Sequence, residues 1–230
     1  MPDVALQASG LSKQFISGGE PVPVFCGVSL LLKAGESLAL MGRSGSGKST
    51  LLNLLCGLER PDEGEIWVGG HRVGAAGDSP KEQPGQWAGL RRQSLGVVFQ
   101  DANLMPALTL LENVRLRASL AGQPDGQGPE WLNRLGLAGL EHRYPDQVSG
   151  GQRQRAALAM VFAMQPEVIL ADEPTGSLDR HTADEVADQL FRLQQETGCA
   201  LVLATHDPEL AARCGQRLDL AHPGRQSDCQ

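Results

Sequence analysis

Residues Gly42-Arg43-Ser44-Gly45-Ser46-Gly47-Lys48-Ser49, continued by Thr50, set small residues, a lysine and hydroxyls at the spacing of a phosphate cradle. The glycines let the chain turn tightly, so that successive backbone N–H groups point inward at an anion. Lys48 is expected to reach the β- and γ-phosphates of a nucleoside triphosphate, and Ser49 to ligate Mg2+. A second set lies at Val168-Ile169-Leu170-Ala171-Asp172-Glu173, an apolar run that ends in two acids. Asp172 is expected to hold Mg2+ through a water, and Glu173 to polarise an attacking water as general base. An Asp-Glu pair alone commonly ends a solvated strand; the lysine-bearing loop upstream is what gives this pair its chemistry.

The elements that must position these residues are legible around them. Leu38 to Met41 reads as a buried strand leading into the loop, and Thr50 to Cys56 as a helix stopped by Gly57 and Pro61. The N-terminus of that helix adds partial positive charge where phosphate would sit. Short apolar runs at Ala5–Leu11, Val22–Phe25, Val28–Leu32 and Glu65–Val68 suggest an antiparallel sheet edge around the loop strand. Residues 69–89 read as a long surface loop, and Ser94–Phe99 as another buried strand. Thr109-Leu110-Leu111-Glu112 is a capping box opening a helix through Ala121. Gly122–Pro129 breaks the pattern, Trp131–Leu140 resumes it, and a long helix is expected over Gly150–Ala163. Thr182 and Glu185 are expected to cap a helix ending at Gly198, Ala200–Thr205 to form a strand, and Asp207-Pro208-Glu209 to open a short last helix. Strands alternating with helices in the second half imply a parallel sheet. The helix-rich middle is an insertion into an α/β core.

Composition narrows the class. With 230 residues, 41% hydrophobic and 20% charged, the chain has length for one large domain or a core plus a small subdomain. A net charge of −7 argues against nucleic acid as the main partner. No apolar stretch approaches the roughly 20 residues that cross a bilayer, and the N-terminus has no signal-peptide character. Five scattered cysteines without a Cys-x-x-Cys pair fit a reduced compartment. These features lead to the expectation of a cytoplasmic protein whose membrane contact is made through a partner.

Val148-Ser149-Gly150-Gly151-Gln152, about twenty residues before the acidic strand, completes a pattern that resembles the ATP-binding-cassette (ABC) ATPases over essentially the whole chain, from about Leu6 to Leu220. The resemblance implies a P-loop ATPase core, a RecA-like mixed sheet with an antiparallel β edge, carrying an inserted helical subdomain. The division implied is a core of residues 1–100 and 155–230 and a helical subdomain of residues 101–154. It also implies roles: Gln100 as the Q-loop residue sensing metal and water, Asp179 in the D-loop Ser177-Leu178-Asp179, His206 as the switch histidine, and Phe15 as an aromatic stacked on adenine. Ser149, Gly150, Gly151 and Gln152 would then contact the ATP held by a second ATPase subunit. Two subunits, a homodimer, would close head to tail over two ATPs and drive an integral-membrane permease from the cytoplasmic face of the inner membrane. His206 as a helix cap, and Phe15 as a plain edge-strand contact, are the simpler alternatives for those two residues.

Ala171-Asp172-Glu173-Pro174-Thr175-Gly176-Ser177-Leu178-Asp179 resembles the branch with lipoprotein-release, macrolide-export and cell-division ATPases, which points to export or force transmission. A non-transporting ATPase gating a membrane-anchored scaffold is the rival reading within that branch. A GTPase would need an Asn-Lys-x-Asp motif, which the sequence lacks. Departures from the family pattern are mild: Phe15 for Tyr, Val148 for Leu, Ser177 for Asn, and Met160 where the signature helix usually has Arg. The tail after Arg213 is also loose, ending soon after Arg225.

Overall fold

Two long strands, β1 (Val4–Ser17) and β2 (Glu20–Lys33), form an antiparallel hairpin that runs from the Val4↔Lys33 pair to Ser17↔Glu20. The two apolar runs expected within residues 22–32 are one strand, in which Cys26 and Gly27 together stand opposite Ser12 of β1 as a bulge. The computed structural model describes residues 4–77 and 84–220, and these pack as two units, Met1–Gly89 with Ala200–Gln230, and Leu90–Cys199. The expected tail end around Arg225 lies outside the described residues.

In the first unit, β4 (Glu63–Val68) pairs antiparallel with the other edge of β1, and β5 (His71–Ala75) pairs with β4. Leu6, Ala8, Leu11, Leu30, Leu32, Ile66, Val68 and Val73 are buried from this sheet. Each full burial of such an aliphatic side chain contributes about 1.5–3 kcal/mol. A second set of strands is parallel: β3 (Ser37–Met41) lies between β8 (Ala200–Ala204) and β9 (Gln216–Asp219). From β3 the chain passes through the glycine-rich loop into α1 (Lys48–Leu55), and from β8 into α7 (Pro208–Ala211).

The expectation of a long loop over residues 69–89 is corrected. Gly69 and Gly70, both at positive φ, make the tight turn that folds β5 back on β4. Backbone pairing thus makes a strand of a segment with little apolar content. After residues 78–83, which lie outside the described residues, α2 (Pro84–Gln93) follows. Its Trp87 is buried flat against Gly57 and Gly74; a Cβ on Gly57 would collide with the indole. Strand β9 was not foreseen either, since Gln216-Arg217-Leu218-Asp219 has one apolar residue and owes its form to pairing with β3.

In the second unit, β6 (Leu95–Val98) pairs in parallel with β7 (Val168–Asp172). The helices are α3 (Leu110–Leu120), α4 (Gly128–Arg134), α5 (Gly150–Ala163) and α6 (Arg180–Thr197). The Thr109–Glu112 capping box forms as expected, with Thr109 Oγ1 accepting from the Glu112 N–H and Glu112 accepting from the Thr109 N–H. Gly128 and Pro129 open α4 instead of breaking it, since a proline in the first turn lacks an N–H the helix does not use. The cap of α6 is Asp179, not Thr182: its carboxylate accepts from the Thr182 N–H at 3.1 Å, and a charged acceptor is the stronger cap. Trp131 of α4 stacks on Phe162 of α5 at 6.0 Å between centroids, with the Arg134 guanidinium 4.4 Å over the indole. No helix of the described residues is long and apolar enough to cross a membrane.

Candidate nucleotide site

The loop after β3 is shaped by what its glycines leave out. Gly47, the N-cap of α1, sits at φ 94°, and a Cβ there would run into Val24 of β2. A left-handed, Cβ-free residue at this point is a steric requirement. No side chain caps α1 at Gly47, so the first-turn N–H groups face the loop interior. Ser46 Oγ is buried and has no hydrogen-bond partner among the described residues. A buried hydroxyl without a partner costs free energy until an acceptor arrives, and a phosphate oxygen meets that need. Lys48 is buried, and its Nζ donates to the Gly42 carbonyl at 2.9 Å and the Arg43 carbonyl at 3.4 Å. Its ammonium is thus already folded into the loop. Ser49 is exposed and Thr50 half-buried at the start of α1; Ser44 and Gly45 are exposed at the loop's outer turn.

His206 leaves the strand next to β3. The Leu40↔Ala204 pair and the Thr205 N–H to Leu40 carbonyl bond (3.1 Å) place residues 42 and 206 at the same ends of adjacent parallel strands. Ligands of α/β sheets bind beyond these carboxyl ends. Buried Thr205 accepts from the Asp207 N–H, and Asp207 in turn caps α7 through Glu209 and Leu210, so the exposed histidine is set between two fixed neighbours. The side chain that caps α7 is that of Asp207. Phe15 stands near the far end of the β1–β2 hairpin, paired with Val22 and 42% exposed, so it is no core contact.

In the second unit, Gln100 follows β6 while Asp172 ends β7 and Glu173 comes next, and the Val98↔Ala171 pairing brings these ends together. A Cβ on Gly176 would sit 3.4 Å from both Gln100 Nε2 and the Glu173 carbonyl, so the Gln100 amide lies against the Glu173–Gly176 turn. That turn is closed by the Gly176 N–H to Glu173 carbonyl bond, 3.0 Å. Glu173 itself adopts φ 46°, a left-handed conformation that costs a non-glycine residue on the order of 1 kcal/mol.

Ser149 caps α5 reciprocally with Gln152: Ser149 Oγ accepts from the Gln152 N–H (3.2 Å) and Gln152 Oε1 accepts from the Ser149 N–H (2.9 Å). The Gln152 carboxamide is thus turned onto Ser149, and the Ser149 O–H remains able to donate. Gly151 is buried against α6, where a Cβ would meet Thr182 Cγ2, and Gly150 faces Leu178. Hydrogen bonds from the Thr182 hydroxyl and N–H hold the Asp179 carboxyl below the usual carboxylate range.

Three further residues tie these pieces down. Gln154 of α5, buried, donates from Nε2 to the Phe99 carbonyl next to Gln100 at 2.9 Å. Thr182 links Asp179 to Gly151, and Lys13 stands 5.2 Å from the Phe15 ring centroid. Gln154 gives a faint signal in sequence, a glutamine on an otherwise buried helix face; Thr182 reads there only as a helix cap, and Lys13 gives none.

The first unit carries a lysine-bearing, phosphate-shaped loop at the end of a parallel strand, and the second carries acids at a strand end and a glycine-opened helix; these are the parts of a nucleotide-hydrolysing cassette. Residues 25–176 match the family model described as ABC transporter. The lipoprotein-releasing system ATP-binding protein LolD of Paramagnetospirillum magneticum is 43% identical over 93% of this chain and 93% of its own length. The uncharacterized ABC transporter ATP-binding protein YbbA of Escherichia coli is 41% identical over 95% of both chains. The cassette MJ0796, solved as a dimer in a post-hydrolysis state bound to ADP and Pi, superposes with a TM-score of 0.81 at 33% identity, covering 93% of both chains. The chain belongs to the ABC transporter family, as an ATP-binding subunit. It is an ATPase, and ATP is its nucleotide.

Proposed function

We propose that this chain powers an exporter or force-transmitting complex, with two copies closing head to tail over two ATPs and pulling on an integral-membrane permease. The observation that carries this reading is the identity above 40%, over more than nine-tenths of both chains, with a lipoprotein-releasing ATP-binding protein. The dimer known for MJ0796 supports the two-copy arrangement.

Lys48 and the α1 N-terminus bind the phosphates, and Ser46 supplies a hydroxyl whose burial without a partner suits an anion. Glu173 takes the proton of the attacking water, and His206 orients that water and the γ-phosphate. Ser149 and the first turn of α5 serve the ATP held by the second copy. Gln152 acts through Ser149, whose orientation it fixes. Gln100 relays the state of the Glu173 turn to the segment before α3, where the permease docks.

Ser49 and Asp172 are the residues that would hold Mg2+, since a hydroxyl and a carboxylate offer the oxygen ligands it prefers. Among the described residues no group of three or more His, Cys, Asp or Glu side chains gathers. When bound, Mg2+ would supply positive charge to stabilise the transferred phosphoryl group.

Glu173→Gln protein, purified with ATP from detergent-solubilised membranes of its native cell, tests the reading. Recovery of a permease with few membrane helices and a large outer domain is expected. Recovery of no membrane protein by a sample that binds ATP would overturn it.

A further inference from the structure

Lys13 of β1 is held by several groups at once. Its side chain is 10% exposed, and Nζ donates to the Arg60 carbonyl at 2.8 Å. Glu59 Oε2 stands 3.6 Å away and Asp62 Oδ1 3.5 Å. Asp62 also uses its other oxygen, accepting from the Gln14 N–H at 2.7 Å, while its own N–H donates to the Ser12 carbonyl at 2.9 Å. Residues 59–62 follow directly on the helix that carries Lys48, and residues 12–14 lead directly to Phe15. The same ammonium lies 5.2 Å from the Phe15 centroid, within cation–π range.

We infer that Lys13 is a positioning residue for the adenine platform: it holds one side of the Phe15 ring, and ties the ring's strand to the segment after the phosphate-loop helix. The inference rests on the reading of Phe15 as the residue that stacks on adenine. An aromatic side chain near the end of a hairpin is free to turn, and a base that stacks on it must first order it. A cation fixed by two carboxylates and a carbonyl does that ordering before the nucleotide arrives. It also draws electron density from the ring, which favours stacking with an electron-rich purine. The ring, still 42% exposed, keeps an open side for the base.

Calorimetric titration of the full chain with ADP and with inorganic pyrophosphate, both with Mg2+, separates the base from the phosphates. Lys13→Met is expected to weaken ADP about fivefold and pyrophosphate less than twofold, with Lys13→Arg within twofold of the parent for both. Phe15→Ala should weaken ADP selectively, and adding Lys13→Met to it should change nothing further. Equal weakening of ADP and pyrophosphate by Lys13→Met would reduce Lys13 to a scaffold clamp and overturn the inference. A silent Lys13→Met beside a selective Phe15→Ala would overturn it while leaving the adenine platform intact. A silent Phe15→Ala would remove the platform and the inference with it.

Discussion

Gln154 donates its side-chain N–H to the carbonyl of Phe99, 55 residues earlier, and so fastens the signature helix α5 to the backbone one peptide before Gln100. The bond is made by a side chain only 2% exposed. Its loss leaves a part-buried carbonyl without this donor, at a cost of about 1–3 kcal/mol. Gln154→Leu is therefore expected to lower thermal stability by several degrees, read in a melt. It should also reduce permease-stimulated ATPase more than the rate of the subunit alone. Equal reduction of both rates would show that the bond supports the fold without carrying signal.

Glu173→Gln keeps the size of the side chain and removes its basicity. Turnover is expected to fall at least about 100-fold while ATP affinity stays within about threefold, because general-base catalysis is worth two to four decades. Phosphate release and equilibrium ATP binding measure the two quantities. Turnover near that of the parent protein would remove Glu173 from the role.

At Gly151 two effects of opposite sign compete. Alanine improves helix propensity by up to about 1 kcal/mol, but its methyl would run into Thr182 Cγ2. Overpacking costs about 1–3 kcal/mol, so the collision wins and Gly151→Ala destabilises. Thr182→Ser, which deletes the offending methyl but keeps the hydroxyl, should recover most of the loss in the double variant. Denaturant melts of the four proteins close this cycle, and additive losses would show that the two positions do not touch.

Acid sensitivity has an assignable component in Asp179. Thr182 holds its carboxyl below the ordinary value near 3.9, so the contribution to stability is complete above about pH 4. It is lost as pH falls through the lower folded value. Asp179→Asn keeps a cap but carries no titrating group, so its melting temperature should fall less steeply than that of the parent as pH drops below about 4. Parallel slopes would mean that Asp179 titrates as it does in the unfolded chain.

The elements that sequence conveys well here are those written in a few adjacent residues. The Thr109–Glu112 box, the Gly150–Ala163 helix and the loop around Lys48 are all local, and they stand where spacing put them. What escaped reading is held by distant partners. Strand β5 has weak apolar content and exists because β4 offers it a ladder, and α2 is fixed through Trp87 resting on two glycines. Asp179 outcompeted Thr182 as a cap because charge on the acceptor matters more than matching a box pattern. Lys13 and Gln154 gave almost no signal for the same reason: their partners lie 47 and 55 residues away.

The left-handed backbone at Glu173 has an evolutionary consequence. Glycine, and to a lesser degree asparagine, would occupy that conformation with less strain. A lineage filtered for stability alone would therefore drift at position 173 toward side chains that cannot take a proton from water. With Glu173 in the role proposed for it, loss of hydrolysis is the downhill direction at this position, and catalysis would have to be renewed there by selection against a standing thermodynamic bias.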